Sequence, residues 1–382
     1  MRDVSIIGIG QTDVGERWER SLRDLAVDAV VAAMKDSHAE RVDALYVGNM
    51  LSGELTAQEH LGTLIADWSG LGGAEAYKVE AADASGAAAV RLAYLGVASG
   101  IHDFVIACGV EKTTDADAET TNAAWSYGTD AEYEGNQGIT MPSMAGLLMR
   151  RYMHEFSVAH EDLAPFAVIA HANGANNPHA MFRSPISAAV YAKAGMVADP
   201  VGMFDAAPLC DGAAAVLLCP TEVANRFASR PVRIRASAAA SDRLAIHSRN
   251  DPLFLRAAHL SAERAYMQAG VAPHELDLFE LHDAFSILAA LSLEACGFAG
   301  RGKAAELAKQ GVFDLQGKTP ICTMGGLKAR GHPIAASGVY QIVEVVQQLR
   351  GEAGANQIEA HLGMAQSLGG TGATAITHIL EA

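Results

Sequence analysis

Apolar positions along this chain fall into two recurring patterns, short unbroken runs and helical stripes. Val4–Ile9 is a run of strand length. Ser21–Met34 places apolar side chains three and four apart behind a serine suited to capping a helix. Val42–Val47 reads as the next strand and Glu59–Ser69 as a helical stretch. AYKVEAADASGAAAVRLAYLGVASG (Ala76–Gly100) reads as strand, turn and buried helix, and Asp103–Gly109 as another strand. Strands alternating with helices predict an α/β protein with a mostly parallel sheet covered on both faces.

The same order of elements returns later. The first strand is echoed by Val232–Ala239. The first helix and VDALYVG are echoed by SAERAYMQAG and HELDLFELHD, and the ASG of Ala84–Gly86 by that of Ala336–Gly338. The strand ending at Gly109 is echoed by IEAHLG, ending at Gly363. Closing strands are expected at Gly212–Cys219 and Gly372–Ile379. Order and spacing are kept together, which argues for a duplicated unit with halves at 1–228 and 229–382. Only a short gap separates Gly363 from Gly372, whereas about a hundred residues separate Gly109 from Gly212, too many for an ordinary loop. Residues 113–205 are therefore expected to form an inserted cap over the site. Its helix MPSMAGLLMRRYMHEF has a methionine-rich apolar surface that suits an acyl or pantetheine tunnel, although such stripes are more often plain core.

Charge and composition narrow the function. A net charge of −16, with no basic stripe, excludes a nucleic-acid backbone as partner. No apolar run approaches the roughly 18 residues of a membrane span, and the start MRDVSIIGIGQT has no cleavable apolar core. The cysteines (Cys108, Cys210, Cys219, Cys296, Cys322) are scattered and odd in number. They fit reduced thiols in a cytoplasmic protein better than disulfides or a zinc site.

The chemistry gathers in Gly325–Gly338, GGLKARGHPIAASG, which runs into the helical VYQIVEVVQQLRG. His332 precedes a proline, which holds its backbone extended at the mouth of that helix. A histidine so placed suits proton transfer or donation to an oxyanion. Two further motifs follow the same order along the chain, HDAFS at His282–Ser286 and GMAQSLGGTGATA at Gly363–Ala375. With SIIGIGQT and SLRDLA near the start, these resemble the thiolase superfamily over essentially the whole chain. The nearest branch is that of archaeal-type and sterol-carrier-type thiolases, where a histidine replaces the asparagine of other thiolases, as in HDAF. The resemblance implies a thiolase-like duplicated five-layer αβαβα fold with a loop domain. It also implies acyl-CoA substrates, coenzyme A present only as part of the substrate, no covalently bound cofactor and no metal. A homodimer or tetramer is expected, together with a small acyl-CoA-binding partner protein of the kind archaeal-type thiolases assemble with.

One residue departs from the family. Its nucleophilic cysteine lies in a context like VEAACASG, and here the text is VEAADASG, with Asp83 at that place. A carboxylate at a helix amino end is expected to be ionised. As a nucleophile it would give a mixed anhydride, as a base it would serve enolate chemistry, and as a bare helix cap it would do neither. The family's second cysteine falls near Gly363 and is also missing. Cys322 lies just upstream of the glycine loop, and Tyr340 follows it as either an acid or a packing residue. His282 and His332 remain, able to polarise a carbonyl from two loops. The expected function is acyl-CoA C-acyl transfer by Claisen-type chemistry with Asp83, His282 and His332 as site residues. The alternatives are a cysteine-less thiolase-fold aldolase acting on β-hydroxyacyl-CoA and a non-catalytic CoA-thioester-binding scaffold. An enzyme should keep both histidines facing Asp83 in a closed tunnel, whereas a scaffold is free to fill it.

Overall fold

The computed structural model describes residues 1–382. The first part of the chain forms β1 (Val4–Gln11), the helix Leu22–Ser37, β2 (Ala44–Gly48), β3 (Glu75–Val79), the helix Ser85–Ser99 and β4 (Val105–Glu111). Ser21 starts the first helix reciprocally: its hydroxyl accepts from the Asp24 N–H while the Asp24 carboxylate accepts from the Ser21 N–H. β5 (Met196–Ala198) and β6 (Val201–Gly202) pair only with each other, and β7 (Gly212–Pro220) returns to the main sheet. The remaining strands are β8 (Val232–Ser241), β9 (Leu278–Glu280), β10 (Leu362–Gly369) and β11 (Thr374–Glu381).

The main sheet runs β3-β2-β4-β7-β1-β8-β11-β10-β9. Outward from the centre, β1, β7, β4 and β2 on one side correspond to β8, β11, β10 and β9 on the other. Ile321 bridges Phe279 in parallel, where β3 stands on the first side. The seam is thin, since only Ser5 and Ile6 of β1 pair with β8. Parallel pairs occur where a covering helix joins the strands, at β2–β3, β2–β4 and β9–β10. The inner pairs are antiparallel, because β10 turns straight back into β11 and β4 meets β7 only after the insertion.

The strand expected to end at Gly363 instead begins there. β10 is buried at every residue, so it shows no alternation by which a sequence reading could find it. Gly372, expected to open the last strand, lies instead in the turn before it, with positive φ at both Gly370 and Gly372.

The helix Leu22–Ser37 covers the outer face of β1 and β7, and the helix Arg256–Ala269 that of β8 and β11. Between the sheet halves lie two central helices, Ser85–Ser99 and Ser337–Arg350. This makes five layers, as the resemblance implies. The ASG of each half lets the central helices touch. A Cβ on Gly86 would stand 2.4 Å from the Ala335 carbonyl oxygen, and one on Gly338 2.7 Å from the Ala87 nitrogen. The second central helix is buried all round yet not apolar. Gln341 donates to the carbonyls of Glu280 and Gln366, tying β9 to β10, and Glu344 meets Arg330 at 2.7 Å.

Residues 113–205 stay out of the main sheet. In the helix Met141–Phe156, Met141 and Met149 join the large apolar core of the second half, and Arg150 and Arg151 reach surface carboxylates at Asp199 and Glu155. The methionine stripe is thus core packing, and Pro142 is the one residue of that helix that lines the cavity walled by Met181, Phe182 and Phe204.

Candidate active site

β3 delivers the chain to a tight turn with Ala82 at φ +51°, and Ser85 closes it by accepting the Ala81 N–H at 2.9 Å. The N-cap of the central helix is Ala84, so Asp83 is not the helix cap that its sequence context allows. Its carboxylate turns inward and is 1% exposed. Oδ1 accepts from the indole N–H of Trp125 at 2.6 Å and lies 3.3 Å from His332 Nε2, while Oδ2 accepts the Gly370 N–H at 3.0 Å. Burial pushes the carboxyl pKa up, but the bond and charge of His332, with His282 and Trp125, outweigh it and hold Asp83 below the ordinary value.

His332 follows Gly331 (φ +110°) and precedes the second central helix. Its backbone N–H donates to the Pro208 carbonyl, and its Nδ1 lies 2.8 Å from the Ser337 hydroxyl. That leaves Nε2 facing Asp83. His282 sits just past β9, its ring edge-on to His332 with centroids 5.3 Å apart. Burial, reinforced by His332 and opposed by Asp83, pushes its pKa down to about 3, so the ring is neutral. Its Nδ1 is buried without a hydrogen-bond partner.

Trp125 closes this cluster on one side. Its ring stacks on Phe285 at 5.7 Å and meets His332 edge-on at the same separation. On its far side lies a cavity of about 570 Å³ whose apolar walls include Met181, Phe182, Met203, Phe204 and Leu209. Lys328 lines the cavity too, donating to the Asp205 carbonyl. Burial lowers its pKa, against the pull of Asp283 and Asp205. The cavity thus ends on an indole whose other edge holds Asp83. Nothing in the sequence singled out Trp125, one of several aromatics inside the insertion. The Gly370 donor lay within the GGTG segment, but its role needed the strand boundary.

Other candidates fall elsewhere. Gly363 packs against Val345 and Leu278 at the start of β10, and the opposite end of that strand reaches Asp83. Cys322 is buried beside Asp283, with its thiol pushed well up by burial and by neighbouring carboxylates. The Tyr340 hydroxyl donates to the Thr12 carbonyl at 3.0 Å and is an anchor of the fold. All five cysteines are buried and unpaired, and none belongs to the Asp83 cluster.

Residues 4–222 match the family model for the thiolase N-terminal domain, and residues 238–382 the one described as thiolase C-terminal domain-like. The chain belongs to the thiolase family. It is 44% identical over 384 residues to the acetyl-CoA acetyltransferase of Methanothermobacter thermautotrophicus, with the whole of both chains covered. A thiolase relative from Thauera aromatica, benzoylsuccinyl-CoA thiolase subunit BbsB, is 32% identical over 94% of this chain and 92% of its own. Among solved thiolase-fold structures, the Ltp2-ChsH2(DUF35) aldolase superposes with a TM-score of 0.87 at 25% identity, covering 100% of this chain and 98% of that one. No helix of this thiolase is long and apolar enough to cross a membrane.

Proposed function

We propose that this chain makes or breaks a carbon–carbon bond beside the carbonyl of an acyl-CoA thioester, by Claisen-type chemistry through an enolate and without an acyl-cysteine. The observation that carries the reading is the meeting of Asp83, His282 and His332 in one buried cluster, with Trp125 between it and the cavity. An enolate needs a base and donors to its oxygen. Asp83 is ionised and supplies the base. His282 is neutral, so it donates to an oxygen without bringing a competing charge, and the Gly370 N–H holds the Asp83 carboxylate in place. The relatives' names support acyl-CoA as the substrate class and C-acyl transfer as the overall reaction.

A second reading is favoured by Asp83 itself. Retro-aldol cleavage of a β-hydroxyacyl-CoA needs a base at the β-hydroxyl and an enolate oxygen donor, and no acyl carrier. The likeness to an aldolase supports it. Trp125, standing between cavity and carboxylate, speaks for the non-catalytic scaffold. Buried, unpaired thiols at every cysteine favour a reducing cytoplasm. We further propose a homodimer, and a small acyl-CoA-binding protein as a partner.

Incubation with short acyl-CoA thioesters and β-hydroxyacyl-CoA thioesters, followed by chromatography of the products, separates the readings. Free CoA together with a β-ketoacyl-CoA marks acyl transfer. A carbonyl compound plus a shortened acyl-CoA, with no free CoA, marks the lyase. Thioester binding with no product from either class leaves the scaffold.

A further inference from the structure

We propose that Lys328 and His171 form a subsite for a second carboxylate on the acyl group, so that the thioesters taken are those of dicarboxylic acids. This rests on the function proposed above and names the substrate class of that site. The cavity beside Trp125 is walled mostly by apolar side chains, and its two basic residues, Lys328 and His171, are both buried. One indole separates the cavity from Asp83. An acyl chain whose carbonyl sits at Asp83 extends into the cavity once that ring turns aside.

Lys328 lies in Gly326–Arg330, the helical turn directly before Gly331 and His332. The loop that brings in the imidazole thus brings in the ammonium as well. Lys328 is 1% exposed, and it makes one hydrogen bond, to the Asp205 carbonyl, of the three that an ammonium can make. The carboxylates around it are committed elsewhere. That of Asp205 takes His160 at 2.7 Å and the Tyr191 hydroxyl at 2.6 Å, and Oδ1 of Asp283 takes the Leu327 N–H at 2.7 Å. A charge kept in an apolar wall without an ion pair is costly, and an anionic group on the ligand offsets that cost.

His171 stands on the helix Ala164–Gly174, its ring stacked on Phe182 at 5.9 Å and edge-on to Phe204 at 5.5 Å. It is 5% exposed, and its Nδ1 has no hydrogen-bond partner. Buried polar atoms are ordinarily paired, so one that lines a cavity without a partner points to a ligand. Burial lowers the His171 pKa, and so does Lys328, against the Ser184 backbone and Asp283. An anion bound alongside favours the protonated ring, whose nitrogens both donate. Lys328 and His171 then serve the two oxygens of one carboxylate, whereas a neutral hydroxyl or ester would leave the ammonium unbalanced. The wall is also fixed to the loop, since the Met181 and Phe182 N–H groups donate to the Arg330 and Ala329 carbonyls at 2.9 Å each.

The test is calorimetric binding to the full chain of thioesters matched in length: succinyl- against butyryl-CoA, glutaryl- against pentanoyl-CoA, and adipyl- against hexanoyl-CoA. The length that spans the cavity should bind about 10- to 100-fold more tightly as the diacid, the size of a charged hydrogen bond. In a chain of net charge −16 an added negative charge on the ligand would otherwise weaken binding. Lys328→Met should lose the preference and His171→Gln should reduce it. Circular dichroism checks that each variant is folded, and the parent's own preference decides the matter should Lys328→Met fail to fold. No preference at any length overturns the subsite, as does a preference that survives in both variants. An equal loss of diacid and monoacid in Lys328→Met assigns Lys328 to the pantetheine arm and overturns the carboxylate. Preferred binding of a diacid without turnover of any thioester leaves the subsite standing and removes the reaction. Turnover without preference for the second carboxylate does the reverse.

Discussion

At the scale of single residues, Asp83 decides what chemistry remains. A thiolate at its place would stand at a helix amino end beside a histidine, an arrangement that lowers a thiol pKa and activates it. Incubated with acetyl-CoA, the parent should show no lasting acyl adduct by intact-mass spectrometry, whereas Asp83→Cys should gain one acetyl group. An adduct on the parent would overturn the base assignment. His378 carries a prediction about pH. It is buried in β11, and burial pushes its pKa down to about 4 from 6.5. Above pH 6.5 it is neutral in both folded and unfolded chains. Between 6.5 and 4 the unfolded chain takes up a proton that the folded one refuses. Stability therefore falls with pH in that window, by at most about 1.4 kcal/mol per unit from this group. Urea midpoints across the window should fall less in His378→Gln. Asp83, His282 and His332 were legible because each sits in a motif of fixed order. Trp125 was not, because its meaning comes from a contact across 42 positions of chain with no local pattern.

At the scale of elements, the two central helices show how a repeat in the text becomes a contact in space. Each ASG puts a glycine where the other helix comes closest, and the obstacle to a Cβ on Gly86 is backbone, which has no rotamer to give. Gly86→Ala should cost roughly 1–3 kcal/mol, as overpacking of a tight core does. A guanidinium midpoint unchanged from the parent would contradict the contact. The strands of the first half could be read from apolar runs and helix spacing. β10 could not, because a strand covered on both faces has no period of two. The methionine helix stayed ambiguous for a related reason, since an apolar stripe is the same whether it faces a tunnel or a core.

At the scale of the whole molecule, the sheet has an outer edge at β3 that pairs with no further strand, with Tyr77 58% exposed on it. An open edge strand invites pairing, and a two-fold partner is the usual cover. Light scattering at micromolar concentration should give twice the chain mass, and Tyr77→Lys should shift it toward the single chain. The pseudo-symmetric order of strands was visible in the text, while the thinness of the β1–β8 seam was not, because register depends on twist between halves. The indole between cavity and carboxylate has one last consequence, for timing. If a thioester reaches Asp83 through that cavity, each turnover waits for Trp125 to leave its bond and return. The ceiling on kcat is then a frequency of swinging against solvent drag rather than a barrier to bond-making. Added sucrose should slow the parent in proportion to viscosity. Trp125→Phe, freed of the tether, should respond much less.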